Sequence, residues 1–317
     1  MKKRNKQLLF FLTAFTLATS SIPLKICKEK SSKYTNKVLS QVCTNDNDDI
    51  LIASHRGFSS LEVENTEKAI KLAASKPYID YIELDARLTA DKKIVLSHND
   101  KLKTNNIYEL TISTTDYKTL KDTTFIYETS PLLADIKTTF NVTTGELIRT
   151  REHNLNQNKY KISSLKEGLQ ACGNKKVFLD LKFNKNTKDF ITALTKELQD
   201  VDKSNIIFQS SDLISLLYLQ NLYPDYNCLA ILRKEEELDY IPLFQNLGIR
   251  KNLTDEVIVK DAVTAGKNVS IWTLNKPEEV EQVYKELGTY AQDVVYITDY
   301  PDMVDGYLHK KIKQKKK

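Results

Sequence analysis

Residues 81–98 read YIELDARLTADKKIVLSH. The strand-forming run Tyr81–Asp85 and the run Ile94–Ser97 are separated by little more than Thr89-Ala90-Asp91-Lys92-Lys93. A parallel crossover takes a dozen or more residues, so two strands this close form an antiparallel hairpin. Glu83 and Asp85 stand at i and i+2, which sends both side chains out of one face of their strand. His98 closes the stretch on the hairpin's return arm.

Outward from the hairpin the chain alternates strand and helix. Short β-branched runs occur at 50–54, 81–85, 176–182, 205–210, 227–232, about 248–252, 268–274 and 293–298. Segments of helical period lie between most of them, among them 65–75, 164–171, 187–198, 212–222 and 278–287. With the hairpin set aside, eight parallel strands remain. That is the count of a closed (β/α)8 TIM barrel, an α/β fold, with a hairpin after its second strand. Residues 101–160 are polar, rich in Thr and Asn, and do not alternate. A loop of that length in a compact barrel is usually functional, and it is expected to form a small insertion over the barrel mouth.

The flanks differ from the body. Residues 1–24 carry a basic cap, a short apolar run from Leu8 to Ala18 and small residues at Ala18 and Ser20, the pattern of an export signal. The run is short for a membrane span, which needs roughly 20 apolar residues, so cleavage is expected over retention as an anchor. Residues 25–48 read as a linker, 49–308 as the barrel and 309–317 as a basic tail. The formal charge of +5 belongs to these ends: without the basic residues of 1–20 and 309–317, 37 basic residues face 42 acidic ones. An acidic body excludes the usual nucleic-acid binder. The four cysteines, Cys27, Cys43, Cys172 and Cys228, have no C-x-x-C spacing. Cys172 and Cys228 are expected to be small buried hydrophobes, and a Cys27–Cys43 link in the linker is conceivable.

In such a barrel the chemistry gathers at the C-terminal strand ends. Those ends read Ser54-His55-Arg56-Gly57, Glu83-Leu84-Asp85, Ser97-His98, Asp180-Leu181-Lys182, Gln209-Ser210, Trp272-Thr273-Leu274-Asn275 and Thr298-Asp299-Tyr300-Pro301. Polar and titratable groups recur at one edge while the apolar residues lie upstream. Glu83, Asp85 and Asp180 converging at a mouth would repel one another unless a hard divalent cation, Ca²⁺ or Mg²⁺, sits among them. Such a cation polarises a phosphoryl oxygen, and Arg56 and Lys182 supply further positive charge for a phosphodiester. His55 and His98 have the imidazole pKa range that suits proton transfer near neutrality.

At these residues the chain resembles the glycerophosphodiester phosphodiesterase family, within the phospholipase-C-like TIM-barrel superfamily. The resemblance rests on His55-Arg56-Gly57, Glu64-Asn65-Thr66, Ile82-Glu83-Leu84-Asp85 with Leu88-Thr89 and Asp91, His98, Leu179-Asp180-Leu181-Lys182, Gln209-Ser210, Trp272-Thr273-Leu274-Asn275 and Ile297-Thr298-Asp299-Tyr300-Pro301. It spans about residues 50–304 and is weak over 101–160. It implies a TIM barrel that releases glycerol 3-phosphate and an alcohol, with Glu83, Asp85 and Asp180 as metal ligands and His55 and His98 as the acid–base pair. Arg56, Lys182 and Trp272 would contact the substrate. The family's usual Glu is Asp180 here, its Pro before Glu-Asn-Thr is Val63, its His-Asp is interrupted by Asn99, and Leu102-Lys103-Thr104-Asn105 lacks its Arg-Thr.

The expected protein is thus an exported phosphoric diester hydrolase, secreted or held at the outer face of the membrane. Its substrate is a small glycerophosphodiester, with a lipid surface or wall polymer as a further contact of the basic tail and no obligate protein partner. The competing expectations are phospholipase-D-like hydrolysis of intact lipids and a non-catalytic surface binding protein.

Overall fold

The structure, a computed structural model, describes residues 50–315 apart from 106–107, 128–136, 142–145, 151–158, 184–185 and 255. The export segment, the linker and the Cys27–Cys43 pairing lie outside the described residues. In chain order the first elements are β1 (Leu51–Ser54), α1 (Glu67–Ala74), β2 (Tyr81–Leu88), β3 (Ile94–Leu96), β4 (Lys101–Lys103), β5 (Glu109–Thr111), α2 (Tyr117–Asp122), β6 (Phe125–Ile126), β7 (Lys137–Asn141), β8 (Glu146–Thr150), β9 (Lys159–Tyr160) and β10 (Ser163–Ser164). They are followed by α3 (Leu165–Cys172), β11 (Lys176–Leu181), α4 (Thr187–Glu197), β12 (Ile206–Ser210), α5 (Leu213–Leu222), β13 (Asn227–Leu232), β14 (Asn246–Arg250), α6 (Glu256–Thr264), β15 (Asn268–Trp272), α7 (Pro277–Leu287), β16 (Val294–Thr298) and α8 (Pro301–Lys315).

Eight parallel strands pair in the circular order β1, β2, β11, β12, β13, β14, β15, β16, and the β16–β1 ladder closes the ring. This is the expected TIM barrel. Side-chain alternation divides each strand between two cores. Ala53, Tyr81, Phe178, Ile207, Leu229, Ile231, Val295 and Ile297 fill the interior, where Tyr81 stacks on Phe178 with ring centroids 4.7 Å apart. The opposite face of the same strands, including Ile52, Ile82, Leu84, Leu179, Phe208, Leu247 and Ile249, is buried with the helices. The interior is therefore a packed apolar plug at its base, and the next inward residues on each strand form the floor of the mouth.

The hairpin is confirmed. β3 pairs antiparallel with β2, Ala86 opposite Leu96, and its other edge is covered by β10. Helix α3 seats against it through Gly168: a Cβ there would lie 2.2 Å from Leu96 Cδ1, so the missing side chain is what lets the two meet. A capping box starts α3, with Ser164 Oγ accepting from the Glu167 N–H and Glu167 Oε2 accepting from the Ser164 N–H. Cys172 and Cys228 are buried, and burial pushes both thiols up to about 12.

Two expectations shift. The sixth barrel strand is Asn246–Arg250, two residues earlier than 248–252, because Leu247 and Ile249 are the residues that meet the helical layer; Lys251–Leu253 is a 3₁₀ turn. The tail is no separate segment at its start, since α8 continues to Lys315. Residues 101–160 carry the β4–β5, β6–β9 and β7–β8 pairs. Leu102, Ile112, Leu120, Phe125 and Ile162 close a small core of their own on Val95 of the hairpin.

Candidate active site

The turn after β1 wraps around one carboxylate. Arg56 and Gly57 both take left-handed backbone, φ +58° and +81°. The Arg56 N–H thereby donates to Glu83 Oε2 at 2.9 Å and the Gly57 N–H to the Glu83 carbonyl at 3.2 Å. Left-handed φ at an arginine is a strained backbone held by its surroundings. Here the hydrogen bond to Glu83 and the Asn65 N–H donating to the Arg56 carbonyl at 2.9 Å hold it.

Glu83, Asp85 and Asp180 are buried side by side, because Asp85 and Asp180 are register partners on β2 and β11. Their carboxylate oxygens offer three ligand atoms within 4.8 Å of one another. Asp85 is the most heavily supported. Oδ2 accepts from Asn65 Nδ2 at 2.8 Å, and Asn65 Oδ1 accepts from the Asp85 N–H at 2.9 Å. Oδ1 lies 2.8 Å from Lys182 Nζ and 3.1 Å from His98 Nδ1. Lys182 also bonds Asp180. Arg56 Nε is 3.4 Å from Asp85 and its Nη1 donates to Glu64 Oε2 at 2.8 Å.

The charges separate accordingly. Burial works against the Asp85 anion, yet the His98 hydrogen bond and the cations Lys182 and Arg56 hold its carboxyl well below the usual range. Glu83 has only His55 near it, at 3.8 Å, among the cationic side chains of the described residues: burial and then the Asp85 charge push its carboxyl up against the pull of His55 and Arg56. Asp180 also rises, through burial and the Asp85 charge, against the pull of Lys182. Three buried carboxylates share two close cations, an excess of negative charge on hard oxygen donors. That donor set fits a divalent cation of the Ca²⁺ or Mg²⁺ kind.

A histidine flanks each side of the triad. His98 lies against Asp85. His55 stands 3.8 Å from Glu83 Oε2 through Nε2, and its Nδ1 is 2.6 Å from Asp299 Oδ1. Burial would lower the His55 pKa, but the Asp299 carboxylate outweighs it and the imidazole is raised to about 8. Asp299 is fixed in turn by Asn275 Nδ2 at 2.5 Å and Ser59 Oγ at 3.1 Å.

All eight residues selected from the sequence therefore occupy one mouth, with a qualification for Trp272. Trp272 is half-buried against the interior, and its Nε1–H is spent on the Gly248 carbonyl at 3.1 Å, which leaves only its ring. Asp100, displaced by Asn99, turns away to Ser113, whose Oγ donates to it at 2.7 Å. Sequence reasoning gave no role to Asp299, Asn275, Glu64 or Tyr127. Tyr127, from the insertion, donates its phenol hydrogen to Glu64 Oε2 at 2.9 Å, the oxygen that also accepts from Arg56. Asp299 had a signal in its place at a strand end; Tyr127 had none. Gln209, beside Asp180 in register, donates Nε2–H to Glu83 Oε1 at 3.2 Å and leaves its own buried oxygen unpartnered.

The model of the Glycerophosphoryl diester phosphodiesterase family matches residues 55–303. The lysophospholipase D GDPD1 of Homo sapiens is 25% identical over 296 residues, covering 81% of this chain and 85% of that protein. Among solved structures, a phosphodiesterase of Oleispira antarctica in complex with the product sn-glycerol-3-phosphate superposes with a TM-score of 0.63 at 21% identity, covering 82% of this chain and 96% of its own. The glycerophosphodiester phosphodiesterase of Thermotoga maritima gives 0.57 at 22% identity, with 83% and 98% covered.

Proposed function

The chain belongs to the glycerophosphoryl diester phosphodiesterase family, and from that premise we propose that it hydrolyses glycerophosphodiesters to glycerol 3-phosphate and an alcohol by metal-assisted histidine acid–base catalysis. It is a phosphoric diester hydrolase. The observation that carries the finer reading is the triad Glu83, Asp85 and Asp180, its oxygens within 4.8 Å, set between two histidines.

In this reading Glu83, Asp85 and Asp180 would hold one Ca²⁺ or Mg²⁺ ion, which would supply Lewis-acid polarisation of the phosphoryl group and offset its developing charge. Arg56 and Lys182, each positioned by carboxylates on its inner side, orient the equatorial phosphate oxygens. His55 and His98 work as a pair across the phosphorus. One takes the proton of the attacking glycerol hydroxyl as its oxygen bonds phosphorus, and the other gives a proton to the departing alcohol oxygen as that P–O bond breaks. With the roles reversed, the pair then delivers a water that opens the cyclic phosphate to glycerol 3-phosphate. Asp299 keeps the His55 ring oriented, so that Nε2 faces the triad and the substrate. The Trp272 ring forms an apolar wall for the carbons of one ester arm.

Export through residues 1–24 is part of the proposal, and a reporter fused after residue 48 would test it. The reaction is tested by release of glycerol 3-phosphate from glycerophosphocholine, with EDTA, with Ca²⁺ or Mg²⁺ restored, and with His55→Ala. Activity that EDTA removes, either metal restores and the variant lacks supports the reading. Failure with both metals, on lysophospholipid as well as on the deacylated diester, overturns it.

A further inference from the structure

The cations around the mouth are not equivalent. Arg56 is held by Glu64 and Asp85, and Lys182 by Asp85 and Asp180. Just past β13, Arg233 reaches Glu237 at 3.4 Å, and beyond β14 Lys251 reaches Glu279 at 2.6 Å. Arg250, the last residue of β14, is exposed and makes no side-chain ion pair or hydrogen bond with the described residues.

Its direction follows from the strand. Leu247 and Ile249 lie in the outer core with the helices. Gly248 faces the interior, since a Cβ there would lie 2.9 Å from Cδ2 of the interior residue Leu229. Arg250 shares the parity of Gly248, so its side chain leaves on the inward face one step higher, at the rim. It is the register partner of Trp272, whose ring is tied to Gly248 just below it. In the ring of eight strands β14 is sixth and β2 second, which sets Arg250 across the mouth from Glu83 and Asp85.

A substrate whose phosphate meets the triad directs one of its two ester arms across the mouth. We propose that Arg250 is an anion subsite for the far end of that arm, so that the enzyme favours diesters whose second alcohol itself carries a phosphate-type negative charge. This rests on the phosphodiesterase reading above. An arginine paired with no carboxylate among the described residues is free to pair bidentately with such a group, and would oppose a cationic alcohol such as choline.

The test compares three diesters that share the glycerophosphoryl half: glycerophosphocholine, glycerophosphoglycerol and bis(glycerophospho)glycerol, whose far ends are cationic, neutral and anionic. Full-length enzyme is expected to rank them anionic, neutral, cationic in kcat/KM, with about five- to tenfold between the extremes. Arg250→Gln should collapse that spread, Arg250→Glu should reverse it, and added salt should shrink it in the parent enzyme only. A flat ranking in the parent, or a spread that survives Arg250→Gln, overturns the subsite and leaves the phosphodiesterase reading standing. If none of the three is hydrolysed, that reading fails. Calorimetric binding of bis(glycerophospho)glycerol in EDTA then decides the subsite alone: binding weakened about fivefold by Arg250→Gln supports it, and equal binding refutes it.

Discussion

His55 Nδ1 lies 2.6 Å from Asp299 Oδ1, and the two residues are 244 positions apart in sequence, on neighbouring strand ends that meet only where the barrel closes. The contact fixes which ring nitrogen faces the triad and favours the imidazolium. Asp299→Asn keeps the size and the Asn275 and Ser59 neighbours while removing the charge. We expect kcat to fall about 10- to 100-fold with KM little changed. Because Asp299 raises the His55 pKa, its removal should also move the His55 limb of the kcat–pH profile to lower pH. An unmoved limb would mean that the pair is structural only.

Without metal the triad destabilises the fold that builds it. Glu83 is buried, and its carboxyl is pushed up first by burial and then by Asp85. A raised folded pKa means that the native state binds this proton more tightly than the unfolded chain. The stabilisation is complete below the ordinary glutamate value of about 4.3 and is lost as pH rises through the folded pKa. In EDTA, Glu83→Gln should therefore be the more stable protein by about 1–3 kcal/mol at pH 8, and the gap should narrow toward pH 5. The amide is accommodated because Gln209 has an unpartnered oxygen to offer it once its own amide turns. Added Ca²⁺ or Mg²⁺ should raise the melting temperature of the parent and much less that of the variant. Urea and thermal unfolding across this range check both statements.

The legible part of the molecule was the part encoded locally. Strand alternation, the hairpin spacing and the i, i+2 carboxylates need only a few neighbouring residues, and from them follow the barrel and the gathering of Glu83, Asp85, Asp180 and both histidines at one mouth. The sixth strand slipped by two residues because Gly248 interrupts the apolar pattern that would have set its ends. Asp299, Asn275 and Glu64 acquire their roles from partners on other elements, which periodicity cannot pair. Tyr127 lies in a polar segment with no regular spacing, and only the fold brings its hydroxyl to Glu64.

Gly57 links local backbone to the site. Its φ of +81° is left-handed, and a Cβ would sit 2.9 Å from the backbone carbon and the Cβ of Ala69 on α1. Gly57→Ala therefore combines an unfavourable conformation with a clash against a helix that cannot move away from the barrel. A loss of about 2–4 kcal/mol in urea unfolding is expected. Activity should fall further than the folded fraction, since the same turn aims the Arg56 N–H at Glu83.

Among the described residues, the insertion reaches the Arg56 side of the mouth through the Tyr127 hydroxyl. Glu64 Oε2 accepts from both Tyr127 Oη at 2.9 Å and Arg56 Nη1 at 2.8 Å, so the carboxylate is shared between the insertion and the arginine. Burial and then the Glu64 charge push the phenol up, which keeps its proton in place as the donor. Tyr127→Phe removes that donor and leaves the ring. Glu64 then turns toward its one remaining strong partner and pairs more tightly with Arg56, which is held back from substrate. We expect KM to rise about three- to tenfold, the worth of roughly one hydrogen bond, with kcat within about twofold. A fall in kcat at constant KM would instead place Tyr127 in the chemical step. Lower thermal stability with unchanged kinetics would reduce the contact to a fastening of the insertion.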